Sequence, residues 1–124
     1  MGYMARLWKL RTAVLAGGFV GSLARYAFQS GADSGVFPWG TLIANVLGSL
    51  LLGILTSRIG RSRKPELLAA LLGVGAIGGF TTFSAFIGQM AGMSVARAVA
   101  YALITVVLGL VAGVVGIHVG KVRS

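Results

Sequence analysis

The sequence predicts an all-α integral membrane protein with four transmembrane helices, the third broken near its middle. Composition is the first reason. Hydrophobic residues make up 56% of the 124 residues and charged residues 10%, with a mean hydropathy of +0.91. A soluble domain carries about 25% charged residues and cannot bury this much apolar surface at this size. The second reason is where the charges fall: between and beside four apolar segments, each long enough for a crossing of ~20 residues. The third is that one segment has more length than a straight crossing needs, and carries "GGFTTFSAF" (residues 78–86) at its centre.

The four spans are expected at about 12–30, 36–57, 66–91 and 95–120, in a single membrane domain covering residues 1–124. The first is interrupted only by Arg25. Its basic start and apolar stretch superficially resemble a signal peptide. No small-residue cleavage site is followed by a polar mature domain, so a retained helix is expected. Arg6 stands where a myristoylation signal needs Ser or Thr. The second span is uncharged, and the turn-rich "SGADSG" (30–35) precedes it. The basic loop "RIGRSRKP" (58–65) leads to the third segment, uncharged from 67 to 96. Backbone in hydrocarbon must satisfy its own hydrogen bonds, so a break survives only where protein or a cavity supports it. The surplus length and the Gly78–Gly79 pair predict unwinding near residues 78–81. The last span is uncharged from 98 to 120. Glycines recur four apart at Gly17/Gly21, Gly88/Gly92, Gly109/Gly113 and Gly116/Gly120, a spacing that lets helices approach closely.

The inventory of reactive groups is small. There is no cysteine, one histidine and two carboxylates, Asp33 and Glu66, both in or beside loops. No catalytic triad, metal cluster or carboxylate pair can be built from these, so no enzyme is expected. His118, beside Lys121, reads as an interfacial side chain. The net charge of +9 flanks the apolar runs and reads as cytoplasmic anchoring and contact with anionic lipid, not as a nucleic-acid surface. A small proton-coupled multidrug transporter needs an acidic residue within a span, and none is present.

Neutral polar groups remain at membrane depth: Asn45, Thr81, Thr82, Ser84, Tyr101 and Thr105. Such donors suit an ion that must shed bound water without being trapped by full charge, and equally serve as bonds between helices. Asn45 fits either role. Phe83 and Phe86, three apart, share a helix face; such pairs usually pack a core, and their positive ring edges also attract anions. Arg25 either snorkels to the surface or lines a polar vestibule.

With "GGFVGSLARY" (17–26), "PWGTLIANVLGSLLLG" (38–53) and "GGFTTFSAF" in this order, the chain resembles the Fluc (CrcB) family of fluoride channels. The resemblance implies an antiparallel two-subunit assembly with two narrow fluoride pores. It also implies a structural sodium ion where the broken segments of two subunits meet, at positions matching Gly78 and Thr81. Phe83 and Phe86 match the phenylalanines flanking the fluoride path, Asn45 its asparagine and Arg25 the arginine of the first span, while Thr82 and Ser84 add hydroxyls beside them. The fourth span of the family offers Tyr and then hydroxyls one and two turns on. Tyr101 and Thr105 fit, but Gly109 supplies no hydroxyl, so either water fills that point or the pore is partly degraded. The implied activity is passive, selective export of cytoplasmic fluoride across a prokaryotic inner membrane. The alternatives are a multidrug-type transporter and a non-conducting assembly subunit.

Charge and family pull apart on orientation. Four spans put both termini and the 58–65 loop on one side, with Arg6, Lys9, Arg11, Arg58, Arg61, Arg63, Lys64, Lys121 and Arg123; the other side has Arg97 and Arg25. This bias favours cytoplasmic termini. A chain inserting both ways to form its own antiparallel dimer should lack it. A separately encoded, inverted partner is therefore favoured over self-pairing.

Overall fold

The computed structural model describes residues 2–32 and 37–122. Residues 33–35 of the 30–35 loop, Asp33 among them, and Arg123 lie outside them. Every element among the described residues is helical: α1 (Gly2–Ala32), α2 (Trp39–Arg58), a short 3-10 turn (Ile59–Arg61), α3 (Pro65–Leu68), a π-helical stretch (Ala69–Ile77), α4 (Gly78–Phe80), α5 (Phe83–Ala91) and α6 (Val95–Val122). From α3 to α5 the chain follows one rod, interrupted once.

Helix ends follow local chemistry. Pro65 takes the first position of α3, where its missing N–H is no loss and its fixed φ suits the helix. Trp39 opens α2 directly after Pro38, whose carbonyl accepts from the Leu42 amide at 3.2 Å. Gly92 closes α5, and its amide donates to Gln89.

Three stretches are long and apolar enough to cross a membrane: Trp39–Arg61, Pro65–Ala91 and Val95–Val122. They make this a multi-pass membrane protein. α1 is longer, at 31 residues, but Arg25, Gln29 and the small residues Gly17, Gly18, Gly21 and Ser22 dilute its hydropathy. Large apolar side chains on α6, among them Leu103, Val107, Leu110 and Val114, point outward. In water that would be ruinous; against lipid it is the expected surface.

Two glycine seams set the packing. On α6, a Cβ at Gly116 would overlap the Leu50 carbonyl and lie 3.1 Å from the Cα of Gly53; one at Gly120 would meet the Ser57 side chain and, at 3.0 Å, the Ile54 carbonyl. Gly53 answers from α2, its missing Cβ facing the Gly113 carbonyl. The second seam joins α1 to the rod. A Cβ at Gly17 would lie 2.8 Å from the Ala76 nitrogen, and one at Gly21 2.9 Å from the Phe80 nitrogen. Gly75 and Gly79 return the approach at Val14 and Gly18. Gly109 and Gly113 have only ordinary contact with Ser49, and Gly88 faces open space, so the Gly88/Gly92 pair forms no seam within the chain.

A small core sits where α2, α5 and α6 meet. Leu42, Phe86 and Tyr101 are buried there, with Phe37, Val46, Met90, Met93 and Ala102 around them. The Tyr101 ring lies edge-on to Phe37 at 5.3 Å and tilted to Phe86 at 5.1 Å, separations in the favourable range for aromatic pairs.

Candidate functional site

The rod leaves helical geometry at Thr81 (φ −82°, ψ 155°) and Thr82 (φ −148°, ψ 120°). Gly78 and Gly79, expected within the unwound stretch, are helical. The reason is steric. A Cβ at Gly79 would lie 2.6 Å from the Gly18 carbonyl, so that glycine serves close packing on α1. The extended geometry falls instead to two β-branched residues, which favour it.

Side chains satisfy the interrupted backbone. The Thr82 amide donates to Asn45 Oδ1 at 2.8 Å, and Asn45 Nδ2 donates to the Thr82 carbonyl at 3.1 Å. One side-chain amide thus replaces the helical partner that the Thr82 N–H lacks and adds a second donor to a carbonyl that already opens α5. The Thr82 hydroxyl accepts from the Ala85 amide at 3.1 Å and caps α5. The Thr81 hydroxyl donates to the Ile77 carbonyl at 2.9 Å, and its methyl occupies the space that a side chain at Gly48 would take. In a continuous helix the Thr82 amide would bond the Gly78 carbonyl. Its diversion to Asn45 leaves that oxygen without its helical donor, on an exposed residue.

Beside the break lies an open cleft of about 360 Å³ between α2, the rod and α6. Asn45, Ser49, Thr81, Thr82, Phe83, Phe86 and Thr105 line it, with Gly48, Leu52, Ile77 and Val106. Six of the residues singled out in the sequence therefore share one wall: Asn45, Thr81, Thr82, Phe83, Phe86 and Thr105. Thr105 Oγ1 is the one buried side-chain N or O atom without a hydrogen-bond partner among the described residues. A lone buried hydroxyl is costly, and any donor or acceptor that reached it would relieve that cost. Asn45 keeps one amide hydrogen beyond its bond to Thr82. The Phe83 and Phe86 rings stand 6.1 Å apart, Phe83 exposed and Phe86 buried.

Other expected site residues lie elsewhere. Ser84 is exposed and Arg25 half-buried, and neither lines the cleft. Tyr101 is fully buried and its hydroxyl donates to Gln89 Oε1 at 3.1 Å. It belongs to a network the sequence reading missed: Gln29 and Gln89 both donate to the Thr41 hydroxyl, at 3.0 and 2.9 Å, joining α1, α2, α5 and α6. Two glutamines inside apolar runs were the available signal, passed over in favour of hydroxyls and aromatics.

Ser49 was missed as well. Its hydroxyl donates to the Asn45 carbonyl at 3.0 Å. A Cβ at Gly109 would lie 3.5 Å from Ser49 Oγ. The gap in the hydroxyl row of α6 is thus faced by a hydroxyl from α2. A second groove, lined by Ser49, Leu52, Thr56 and Gly109 among others, continues from that point.

Residues 12–117 match the family described as "CrcB-like protein, Camphor Resistance (CrcB)". The chain is 40% identical over 112 residues to a "Fluoride-specific ion channel FluC" of Novosphingobium aromaticivorans, covering 86% of this chain and 89% of that one. It is 40% identical over 116 residues to "Fluoride-specific ion channel FluC 2" of Bacillus licheniformis, covering 91% and 88%. A FluC of Nitrobacter winogradskyi is 40% identical over 128 residues, covering 93% and 98%. With a cleft of uncharged donors and phenylalanine rings beside a broken helix, and relatives along nearly its whole length, the chain belongs to the CrcB family.

Proposed function

We propose that this protein is a fluoride-selective channel, not an enzyme, that lets cytoplasmic fluoride leave the cell passively. The observation that carries the reading is the cleft beside the break, whose lining brings together Thr105 with its unpartnered hydroxyl, Asn45 with a spare amide hydrogen, and the rings of Phe83 and Phe86. Fluoride holds its water strongly, and replacing that shell takes several donors at short range in a tight path. The absence of a cation along the wall lets the anion leave again. Thr82 keeps its hydroxyl proton after capping α5 and is a further donor. Asn45 does two things at once, holding the break open and presenting an N–H to the path.

The cleft is open on one side, and exposed Phe83 and Gly78 flank the break. A second subunit in inverted orientation would close it. In this reading α1 is the fourth span, its polar residues facing protein while its apolar ones meet lipid. A structural sodium ion would bind between two such breaks, supplying positive charge that holds unwound backbone together. Gly78, whose carbonyl lacks its helical donor, and Thr81, whose hydroxyl oxygen can still accept, are the fitting oxygen donors; unwound carbonyls suit such a cation. The basic bias of one side supports cytoplasmic termini and a separately encoded, inverted partner, and a prokaryotic inner membrane is the setting in which such a channel would act.

Purified protein in liposomes tests the function. Fluoride efflux well above that of empty vesicles, with chloride largely retained, is expected. Equal fluoride and chloride efflux refutes selectivity, and no efflux from the chain with either itself or an inverted partner refutes conduction. Reporters fused to the C-terminus separate the assemblies: a purely cytoplasmic signal supports a distinct partner, and equal signals on both sides support self-pairing.

A further inference from the structure

We propose that the junction of α1 and α3 is a binding site for the phosphate of an anionic phospholipid. Away from the break, a cavity of about 450 Å³ is lined by Arg6, Lys9, Leu10, Arg63, Lys64, Pro65, Glu66 and Leu67. Four cationic side chains face one carboxylate. That carboxylate is engaged: Glu66 Oε2 accepts from Arg6 Nε at 2.9 Å, and Oε1 from Arg6 Nη2. The fork fixes Arg6 across the cavity and ties α1 to α3. As an exposed pair it adds little stability by itself; its effect is to place a guanidinium. Lys9, Arg63 and Lys64 have no carboxylate partner among the described residues, so the cavity keeps an excess of positive charge. Lysine ammonium groups and a guanidinium are the groups that bind phosphate oxygens, as point charges and as a planar fork.

Depth identifies the source of the phosphate. The uncharged part of α1 begins at Thr12 and that of the rod at Leu67. The cavity sits at the point where both helices pass from charged to uncharged sequence, and there a bilayer places its phosphodiesters. Its remaining walls, Leu10, Pro65 and Leu67, are apolar and suit the glycerol and first methylenes of a lipid more than a free ion. Basic pockets between membrane helices take anionic headgroups by this combination. The inference is independent of fluoride conduction, since the cavity shares no residue with the cleft.

The test uses the full-length protein in mild detergent, with native mass spectrometry and thermal melting as readouts. Added phosphatidylglycerol is expected to bind and raise the melting temperature, while phosphatidylcholine and inorganic phosphate do neither. Lys9→Gln/Lys64→Gln should weaken phosphatidylglycerol binding about thirtyfold, from about fivefold per basic residue. The control Arg11→Gln/Arg61→Gln removes two charges from the same side without touching the cavity, and should bind like the parent. Equal weakening in both double variants would mean diffuse attraction and overturn the site. Stabilisation by inorganic phosphate equal to that by phosphatidylglycerol would overturn the lipid as its occupant.

Discussion

The two halves of the rod from Pro65 to Ala91 are held in opposite ways. The first half, through the π-helical stretch and α4, lies against α1 with glycine facing backbone at Gly17, Gly21, Gly75 and Gly79. Among the described residues the only side-chain hydrogen bond to another element there is the exposed Arg6–Glu66 pair at its outer end. The second half, α5, is held by polar side chains and rings: Asn45 at Thr82, Gln89 at Thr41 and Tyr101, and Phe86 against Tyr101. Close backbone contact gives rigidity and leaves no room for a guest. Side-chain bonding leaves a cleft and free donors. The break is the point where one mode gives way to the other.

The largest expected effect attacks the rigid half. Gly21→Ala would drive a Cβ into the Ala76 carbonyl, 2.8 Å from its carbon and 2.9 Å from the Phe80 nitrogen. Backbone cannot rotate away as a side chain can, so α1 must separate from the rod, and overpacking of this kind costs about 1–3 kcal/mol or more. The yield of monodisperse protein on size exclusion should fall sharply. Gly88→Ala, with nothing within 4 Å in this chain, should behave like the parent; a matching collapse there would place a partner on that face instead.

Next is the hinge between the modes. Asn45→Ala leaves the Thr82 amide unpaired, at about 1–3 kcal/mol for a buried group, and removes the second donor from a carbonyl that still opens α5. Melting temperature and fluoride flux should both drop. Asn45→Asp retains an acceptor for the Thr82 amide but sets a carboxylate oxygen against its carbonyl and puts negative charge on the path. It should abolish flux even where folded protein is recovered. A parent-like melt for Asn45→Ala would mean that the break supports itself.

The phenylalanines sharpen the contrast within the soft half. Phe86 is 8% exposed and packs on Tyr101, whereas Phe83 is 76% exposed. Phe86→Ile should lower stability by about 0.5–1.5 kcal/mol through the lost ring pair, beyond any change in buried area. Phe83→Ile should melt like the parent and still conduct less, because only its ring edge is removed. Parent-like flux in both variants would return these rings to packing alone.

The sequence showed the break region and much of the cleft because the signals there are chemical. Hydroxyls, an amide and rings stand out in an apolar run, and helices end where charge or turn residues interrupt it. Which residues unwind was less legible. Gly78 and Gly79 weaken a helix, but Gly79 is used for contact with α1, and that contact depends on a partner 61 positions earlier in the chain. The glycine pairs had the same ambiguity: spacing made Gly116/Gly120 and Gly88/Gly92 look alike, and only packing separates the buried pair from the open one. The Gln29–Thr41–Gln89–Tyr101 network joins four helices, so no local pattern announces it.

The smallest expected effect concerns Gly109, where α6 lacks a hydroxyl. The cleft and the groove beyond it meet at Ser49, so the row of donors passes from Thr105 on α6 to Ser49 on α2. At rest the Ser49 proton lies on a carbonyl of its own helix, which the helix ladder already serves, so the hydroxyl is free to rotate and donate into the path, and removing it should hardly change stability. Flux should nevertheless fall about two- to tenfold in Ser49→Ala, the range for one net hydrogen bond of about 0.5–1.5 kcal/mol. A side chain at 109 has room, since its Cβ would meet Ser49 Oγ at an ordinary 3.5 Å. Gly109→Ser in the Ser49→Ala background should therefore restore flux by returning the hydroxyl from the opposite helix. Parent-like flux in Ser49→Ala would mean that water alone bridges the gap. A loss that Gly109→Ser leaves unrepaired would tie the effect to the α2 backbone at Asn45, and so to the hinge instead of the path.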